Sequence, residues 1–195
     1  IGLGIPAEPL FRSRDSKDQG KGSIVFDQGI AHTDALYTTE PGILIGAMTA
    51  DCVGILLVDE TTPCIATIHS GWKGTLQSIT TKTTQHLIDQ GLIHPESTHA
   101  YFSPSILFDS LEMGKEVIDQ FMEASFDLEG YVKEKENGKY VLDNQGLNIR
   151  MLKELGIQQI HPSTMDTFTD IENTFSYRRG MIGRHMTYGM IKADE

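Results

Sequence analysis

A cysteine and a histidine at the two ends of a strand–turn–strand pattern are the residues of this chain best suited to chemistry. Cys52 opens the apolar run Val53 to Val58, and His69 closes the run Cys64 to Ile68. The polar, proline-containing stretch Asp59-Glu60-Thr61-Thr62-Pro63 between them reads as the turn of a hairpin. In an antiparallel pair the start of one strand lies beside the end of the next. The pattern therefore brings a thiol and an imidazole to one edge of a sheet. A soft thiolate and a neutral imidazole suit zinc or copper. A catalytic zinc site uses about three protein ligands plus a water, so a third ligand is owed. The same pair could act as a thiolate–imidazolium nucleophile. It could equally be inert, with Cys52 a small buried apolar residue and His69 a hydrogen-bonded core histidine.

Other residues are candidates by type and place. Asp51 precedes Cys52 and suits a loop cap or a group that orients a ligand. Trp72, bracketed by Gly71 and Gly74, could stack on a planar substrate or simply fill core. Ser70 to Thr75 runs from strand to helix, where free backbone N–H groups could hold an anion, although the glycine spacing is not that of a phosphate-binding P-loop. Arg178 and Arg179 are adjacent, so in extended chain they point to opposite sides. Either suits bidentate binding of phosphate or carboxylate, and either could be a surface ion pair. Arg184 has the same ambiguity. His32, His86, His94, His99 and His161 show no metal-like spacing, and His185 beside Arg184 is a weak candidate.

The elements that must position these residues follow from pattern. Of 195 residues, 39% are hydrophobic, enough for a real core in one large domain or two small ones. The formal charge of −11 argues against a nucleic-acid surface, whose affinity comes from Lys and Arg on phosphates. Two cysteines without a signal-like start fit a reducing compartment. The most apolar stretch, Ile43 to Val58, is interrupted by Thr49, Asp51 and Gly54 and falls short of a membrane span. Arg12 to Gly22 reads as a loop, and Ser23 to Phe26 and Thr33 to Thr38 as short extended segments. Ile43 to Met48, Val53 to Val58 and Cys64 to His69 read as buried strands. A helix is expected over Thr75 to Gln90 with Leu76, Ile79, Thr83 and Leu87 inward, then a strand over Thr98 to Phe102. A second helix, Met113 to Ala124, turns Val117, Phe121 and Met122 inward. Asn144 caps a third that buries Leu147, Met151 and Leu155. Strands are expected at Tyr140 to Leu142, Ile157 to Ile160 and Met186 to Ile191. Helices and strands mix without strict alternation, which gives an α+β class.

Several of these stretches resemble the signatures of one bacterial family. Thr49-Ala50-Asp51-Cys52, His69-Ser70-Gly71-Trp72-Lys73-Gly74, and Phe175-Ser176-Tyr177-Arg178-Arg179 with Gly183-Arg184 are similar to the laccase-domain proteins. That family is also called multicopper polyphenol oxidase, or peptidoglycan editing factor. Thr33 to Thr38 matches in the right place, and the resemblance covers about Asp18 to Ile191.

The resemblance implies a layered α/β/β/α sandwich of mixed sheets with helices outside, related to toxin-like cysteine hydrolases. It implies a cytoplasmic, monomeric purine nucleoside phosphorylase acting on adenosine, inosine and methylthioadenosine, with adenosine deaminase activity. The implied cofactor is zinc, held by Cys52, His69 and a histidine upstream; the older credit is copper-dependent phenol oxidation. By the same match Arg178 and Arg179, with N–H groups near Gly71 and Gly74, are candidates for phosphate, and Trp72 for the pocket wall. Alternatives are a copper phenol oxidase and a metal-free Cys52–His69 hydrolase that edits cell-wall precursors. No histidine precedes His32, so the first ligand is absent from the sequence. The resemblance implies a single laccase-domain-like domain over 1–195, with an incomplete N-terminal part and residues skipped near 11–13. The chain also departs from the family at Gly54, where proline is usual, at Ser103, where glycine is usual, and at Asp166, where cysteine is common.

Overall fold

The computed structural model describes residues 11–13 and 33–193. The loop expected over Arg12 to Gly22, the strand expected over Ser23 to Phe26, His32 and the place of the upstream histidine fall wholly or mostly outside those residues. A six-stranded sheet forms the centre, in the order β1 (Phe11–Ser13), β2 (Ala35–Thr38), β5 (Ile65–Ser70), β4 (Val53–Asp59), β6 (Thr98–Phe102) and β10 (Gln159–His161). The outer pairs β1–β2 and β6–β10 are parallel, and the inner ones antiparallel. The expected hairpin is its middle, with Val53 opposite Ser70 and Gly54 opposite His69.

The near-continuous apolar character of β4 and β5 reflects burial on both faces. Val53, Ile55, Leu57, Ala66 and Ile68 point to one side and pack on helices α2 (Ile79–Asp89) and α4 (Asn144–Glu154) through Ile79, Leu87 and Leu152. Leu57 is fully buried, so its truncation to alanine costs about 2–5 kcal/mol. On the other side a two-stranded antiparallel ribbon, β3 (Leu44–Thr49) with β11 (His185–Met190), lies across the sheet and closes a smaller core of Ile43, Ile45 and Ile65. Met48, Met186, Tyr188 and Met190 form the ribbon's exposed outer face. The described residues thus supply helices, sheet and ribbon, three of the four expected layers. A third core joins α1 (Trp72–Leu76), α3 (Lys115–Glu123) and a small sheet of β7 (Glu112–Met113), β9 (Tyr140–Leu142) and β8 (Val132–Glu134).

Three expectations need correction. The helix expected over Thr75 to Gln90 is two helices, broken at Ser78, which adopts left-handed backbone (φ 57°). The break turns Leu76 toward the third core while Ile79, Thr83 and Leu87 face the sheet. Asp143, not Asn144, caps α4, since its carboxylate accepts the Gly146 N–H at 2.7 Å. Asn144 is instead buried and donates to the Ser70 carbonyl at 3.0 Å, tying α4 to the functional end of β5. Met122 faces solvent, and Ile118, one turn earlier, takes the inward place.

Candidate functional site

The site forms where β4 begins and β5 ends, on the ribbon side of the sheet. Alternation along β5 puts Ile68 and Ala66 on the helix side and His69 with Thr67 on the ribbon side. Gly54, the partner of His69, meets Thr187 of the ribbon. Cys52 lies two residues before Gly54, and its thiol comes together with the His69 imidazole over Gly71, where an added Cβ would stand close to both. The Cys52–His69 pairing read from the sequence is therefore a contact. Gly71 makes it possible, because a Cβ there would stand 3.0 Å from the Cys52 sulfur. Both cysteines are free. Cys64 is buried away from the pair, and burial together with the Asp59 charge pushes its thiol up to about 12.

A third residue completes the arrangement. Asp34, just before β2, accepts from His69 twice: its carbonyl takes the His69 N–H at 2.7 Å, and its carboxylate lies 3.0 Å from Nδ1. Burial pushes the imidazole pKa down, but the hydrogen bonds and charges of Asp34 and Cys52 outweigh it and raise it to about 10. With Nδ1 committed to Asp34, Nε2 is left for the Cys52 side. Asp34 lies 35 residues from His69, and nothing in local spacing marks it. The signal available was its place in the extended segment Thr33 to Thr38.

A cavity of about 240 Å³ opens beside this group, between β2, β5 and the ribbon strand β3. Asp34, Thr67 and His69 line one side, and Gly46, Ala47 and Met48 the other. Trp72 is not in this lining: it packs on the third core, with the Lys73 ammonium 5.5 Å from its ring centre. Gly71 is the N-cap of α1, and Gly74 sits inside that short helix with Ile79 close by.

The arginines lie in a separate loop. Arg178 is exposed and donates one guanidinium N–H to the Glu112 carbonyl at 2.9 Å. Arg179 turns the other way and donates to the Thr174 carbonyl at 2.6 Å. Asp51 attaches this loop to the site, since its carboxylate accepts the Arg178 N–H and the Thr167 hydroxyl, both at 2.7 Å. Arg184 folds over Tyr177 and donates to carbonyls of its own turn. His185 accepts from the Phe175 N–H at 3.0 Å, and burial pulls its pKa down. His99 and His161 meet at 3.0 Å on β6 and β10, near the far end of β4 from Cys52.

As a metal site, the Cys52–His69 pair has suitable donor chemistry, and Asp34 is placed as the carboxylate that commonly orients a ligating histidine. It supplies two of three ligands. Among the described residues no group of three or more His, Cys, Asp or Glu is placed to hold a metal ion.

The sequence profile of a family described as "Multi-copper polyphenol oxidoreductase laccase" matches residues 12–192. A purine nucleoside phosphorylase of Deinococcus radiodurans is 36% identical over 159 residues, covering 80% of this chain and 60% of that protein. Adenosine deaminase RL5, from an unknown prokaryotic organism, is 32% identical over 181 residues, covering 91% of this chain and 66% of that one. The crystal structure of Bacillus licheniformis hypothetical protein YfiH superposes with a TM-score of 0.88 at 26% identity, over 95% of this chain and 71% of that one. The chain thus spans less than two thirds of the length of these two curated relatives. Among the described residues no helix is long and apolar enough to cross a membrane.

Proposed function

The chain belongs to the multi-copper polyphenol oxidoreductase laccase family, and from that premise we propose that it is a zinc-dependent purine nucleoside phosphorylase that also deaminates adenosine. We further propose that it works as a cytoplasmic monomer on adenosine, inosine or methylthioadenosine. The observation that carries the reading is the cavity of about 240 Å³ lined by His69 and Asp34, with the Cys52 thiol beside the imidazole, in a chain whose relatives are named for these two activities.

Cys52 and His69 would hold zinc together with a ligand from outside the pair. When bound, zinc supplies Lewis acidity that lowers the pKa of water at the site toward neutrality, as deamination requires. The rest falls to the chain's own residues. The base would enter between the Gly46–Met48 wall and Thr67, with the reacting carbon toward His69. In phosphorolysis a phosphate oxygen bonds to the ribose C1′ as the bond from C1′ to the base nitrogen breaks. The base leaves with the electron pair and takes up a proton. Arg178 is the better placed of the two arginines for phosphate, because it is exposed and its guanidinium has N–H groups beyond the one given to Glu112. Arg179 is half-buried and gives one guanidinium nitrogen to Thr174, which leaves it less open to solvent than Arg178.

The test is metal content measured with turnover. Stoichiometric zinc, phosphate-dependent release of base from inosine or adenosine, and loss of both on chelation are expected. Full activity after complete chelation would overturn the reading.

One observation favours a second reading. Asp34, His69 and Cys52 stand in the order of a carboxylate, a base and a nucleophile, which suits a metal-free cysteine hydrolase. Chelation would leave that activity intact. Copper-dependent phenol oxidation fits less well, because relaying electrons to oxygen needs clustered histidines. The described residues hold only the His99–His161 pair, far from Cys52.

A further inference from the structure

Asp51 carries more hydrogen bonds to distant loops than a cap needs. It is one of three non-glycine residues with left-handed backbone among those described, at φ 83°, immediately before Cys52. That conformation is disfavoured for a residue with a Cβ, and it persists where surrounding contacts hold it. The Asp51 carbonyl accepts the Ile106 N–H at 2.9 Å. One carboxylate oxygen accepts the Thr167 hydroxyl and the other the Arg178 N–H, each at 2.7 Å.

Thr167 is fully buried and extends the connection. Its carbonyl accepts the Thr174 hydroxyl at 3.1 Å, and the Thr174 carbonyl accepts from Arg179. Asp51 therefore reaches both arginines, Arg178 directly and Arg179 through two threonines. Its own backbone leads into the thiol. No other described hydrogen bond joins 51–53 to 174–182.

We propose that Asp51 is a positioning residue: a clasp that fixes the arginine segment in register with Cys52, and so sets the grip on the anionic co-substrate. The proposal rests on the phosphorolysis reading for the identity of that anion, inorganic phosphate. Asp51 touches neither phosphate nor nucleoside in this role. It acts through the Arg178 backbone and the Thr167 hydroxyl.

The discriminating variant is Asp51→Asn, since asparagine tolerates left-handed backbone and keeps one acceptor oxygen. Its single amide oxygen replaces only one of the two carboxylate oxygens, so either the Arg178 N–H faces an NH2 or the Thr167 hydroxyl must reverse and accept, and the negative charge is lost in both cases. In the zinc-loaded protein we expect KM for phosphate to rise about tenfold, with KM for nucleoside and zinc content unchanged. In the same variant, deuterium exchange at the amides of 174–182 is expected to quicken by about tenfold. Thr167→Val, which removes one arm of the clasp, is expected to give a smaller change in the same direction. A merely structural role would lower the melting temperature and leave the ratio of the two KM values alone. If Asp51→Asn leaves both phosphate KM and exchange as in the parent, the proposal is overturned. If the parent shows no phosphate-dependent turnover, the phosphorolysis reading fails by itself. The exchange comparison then decides the clasp alone.

Discussion

Gly54 and Ser103 are bonded to each other in both directions: the Gly54 N–H donates to the Ser103 hydroxyl at 3.0 Å, and the Ser103 N–H donates to the Gly54 carbonyl at 2.9 Å. The two positions where the resemblance leads one to expect proline and glycine are therefore direct hydrogen-bonding partners. Proline has no N–H to give, and a Cβ at 54 would stand 2.9 Å from the Ser103 hydroxyl and collide with that of Thr187. Gly54→Pro alone is expected to destabilise the protein by about 2–4 kcal/mol. Adding Ser103→Gly is expected to recover part of the loss, with a coupling of at least roughly 0.5 kcal/mol in a double-mutant cycle by urea denaturation. Additive effects would refute the link.

Asp34 is expected to matter for metal before it matters for folding. Asp34→Ala removes the acceptor from His69 Nδ1, and loss of such a partner typically costs about 10–100-fold in metal affinity. Competition against a chromophoric chelator measures this. An affinity within twofold of the parent would show that His69 is held by something else.

The raised pKa of His69 gives a signed prediction. In the metal-free protein the imidazole keeps its proton up to about pH 10, so a metal at that nitrogen must displace it. Zinc affinity should then rise with pH across the neutral range, with proton release visible as a dependence of binding heat on buffer. The folded-state pKa lies above the unfolded one. The stability this interaction lends the metal-free fold is thus fully present below about pH 6.5 and lost as pH rises through about 10. An affinity that does not vary with pH would contradict the assignment.

Asp59 predicts the opposite dependence. Burial pushes its carboxyl upward, but the N–H groups of His94, Thr61 and Thr62 and the hydroxyls of Thr61, Ser97 and Thr98 outweigh this and hold its pKa well below the ordinary range. A depressed pKa contributes stability above the unfolded-state value, near 3.8, which is lost as pH falls below it. Asp59→Asn should cost roughly 2–4 kcal/mol at neutral pH and flatten the acid limb of the stability curve. An unchanged acid limb would show that other carboxylates dominate it.

Gly71→Ala probes the thiol directly. The added methyl would press on the Cys52 sulfur, so metal binding should weaken about tenfold or more while stability moves by about 1 kcal/mol or less. Parent-like metal binding would mean that the sulfur can step aside freely.

The centre of this fold was legible in the sequence because it is made by local rules. Two apolar runs and a polar turn define β4 and β5, and antiparallel pairing puts Cys52 and His69 at one end. What stayed hidden depends on residues far apart. Asp34 reaches His69 across 35 positions, and Thr167 reaches Asp51 across 116. Ser78 breaks a helix in a conformation for which glycine would have been the usual marker. Asp143 and Asn144 are both good caps side by side, and only the packing of Asn144 against Ser70 chooses between them.

Met48 belongs to the strand that walls the cavity opposite His69, and its side chain stands on the ribbon's outer face, 44% exposed. A thioether in that position is a chemical witness. Oxidants generated by copper cycling at Cys52 and His69 would convert Met48 to its sulfoxide, and phosphorolysis or deamination would leave it untouched. Peptide mass spectrometry of protein that has turned over would therefore read, from one sulfur atom, which kind of chemistry the cavity had hosted.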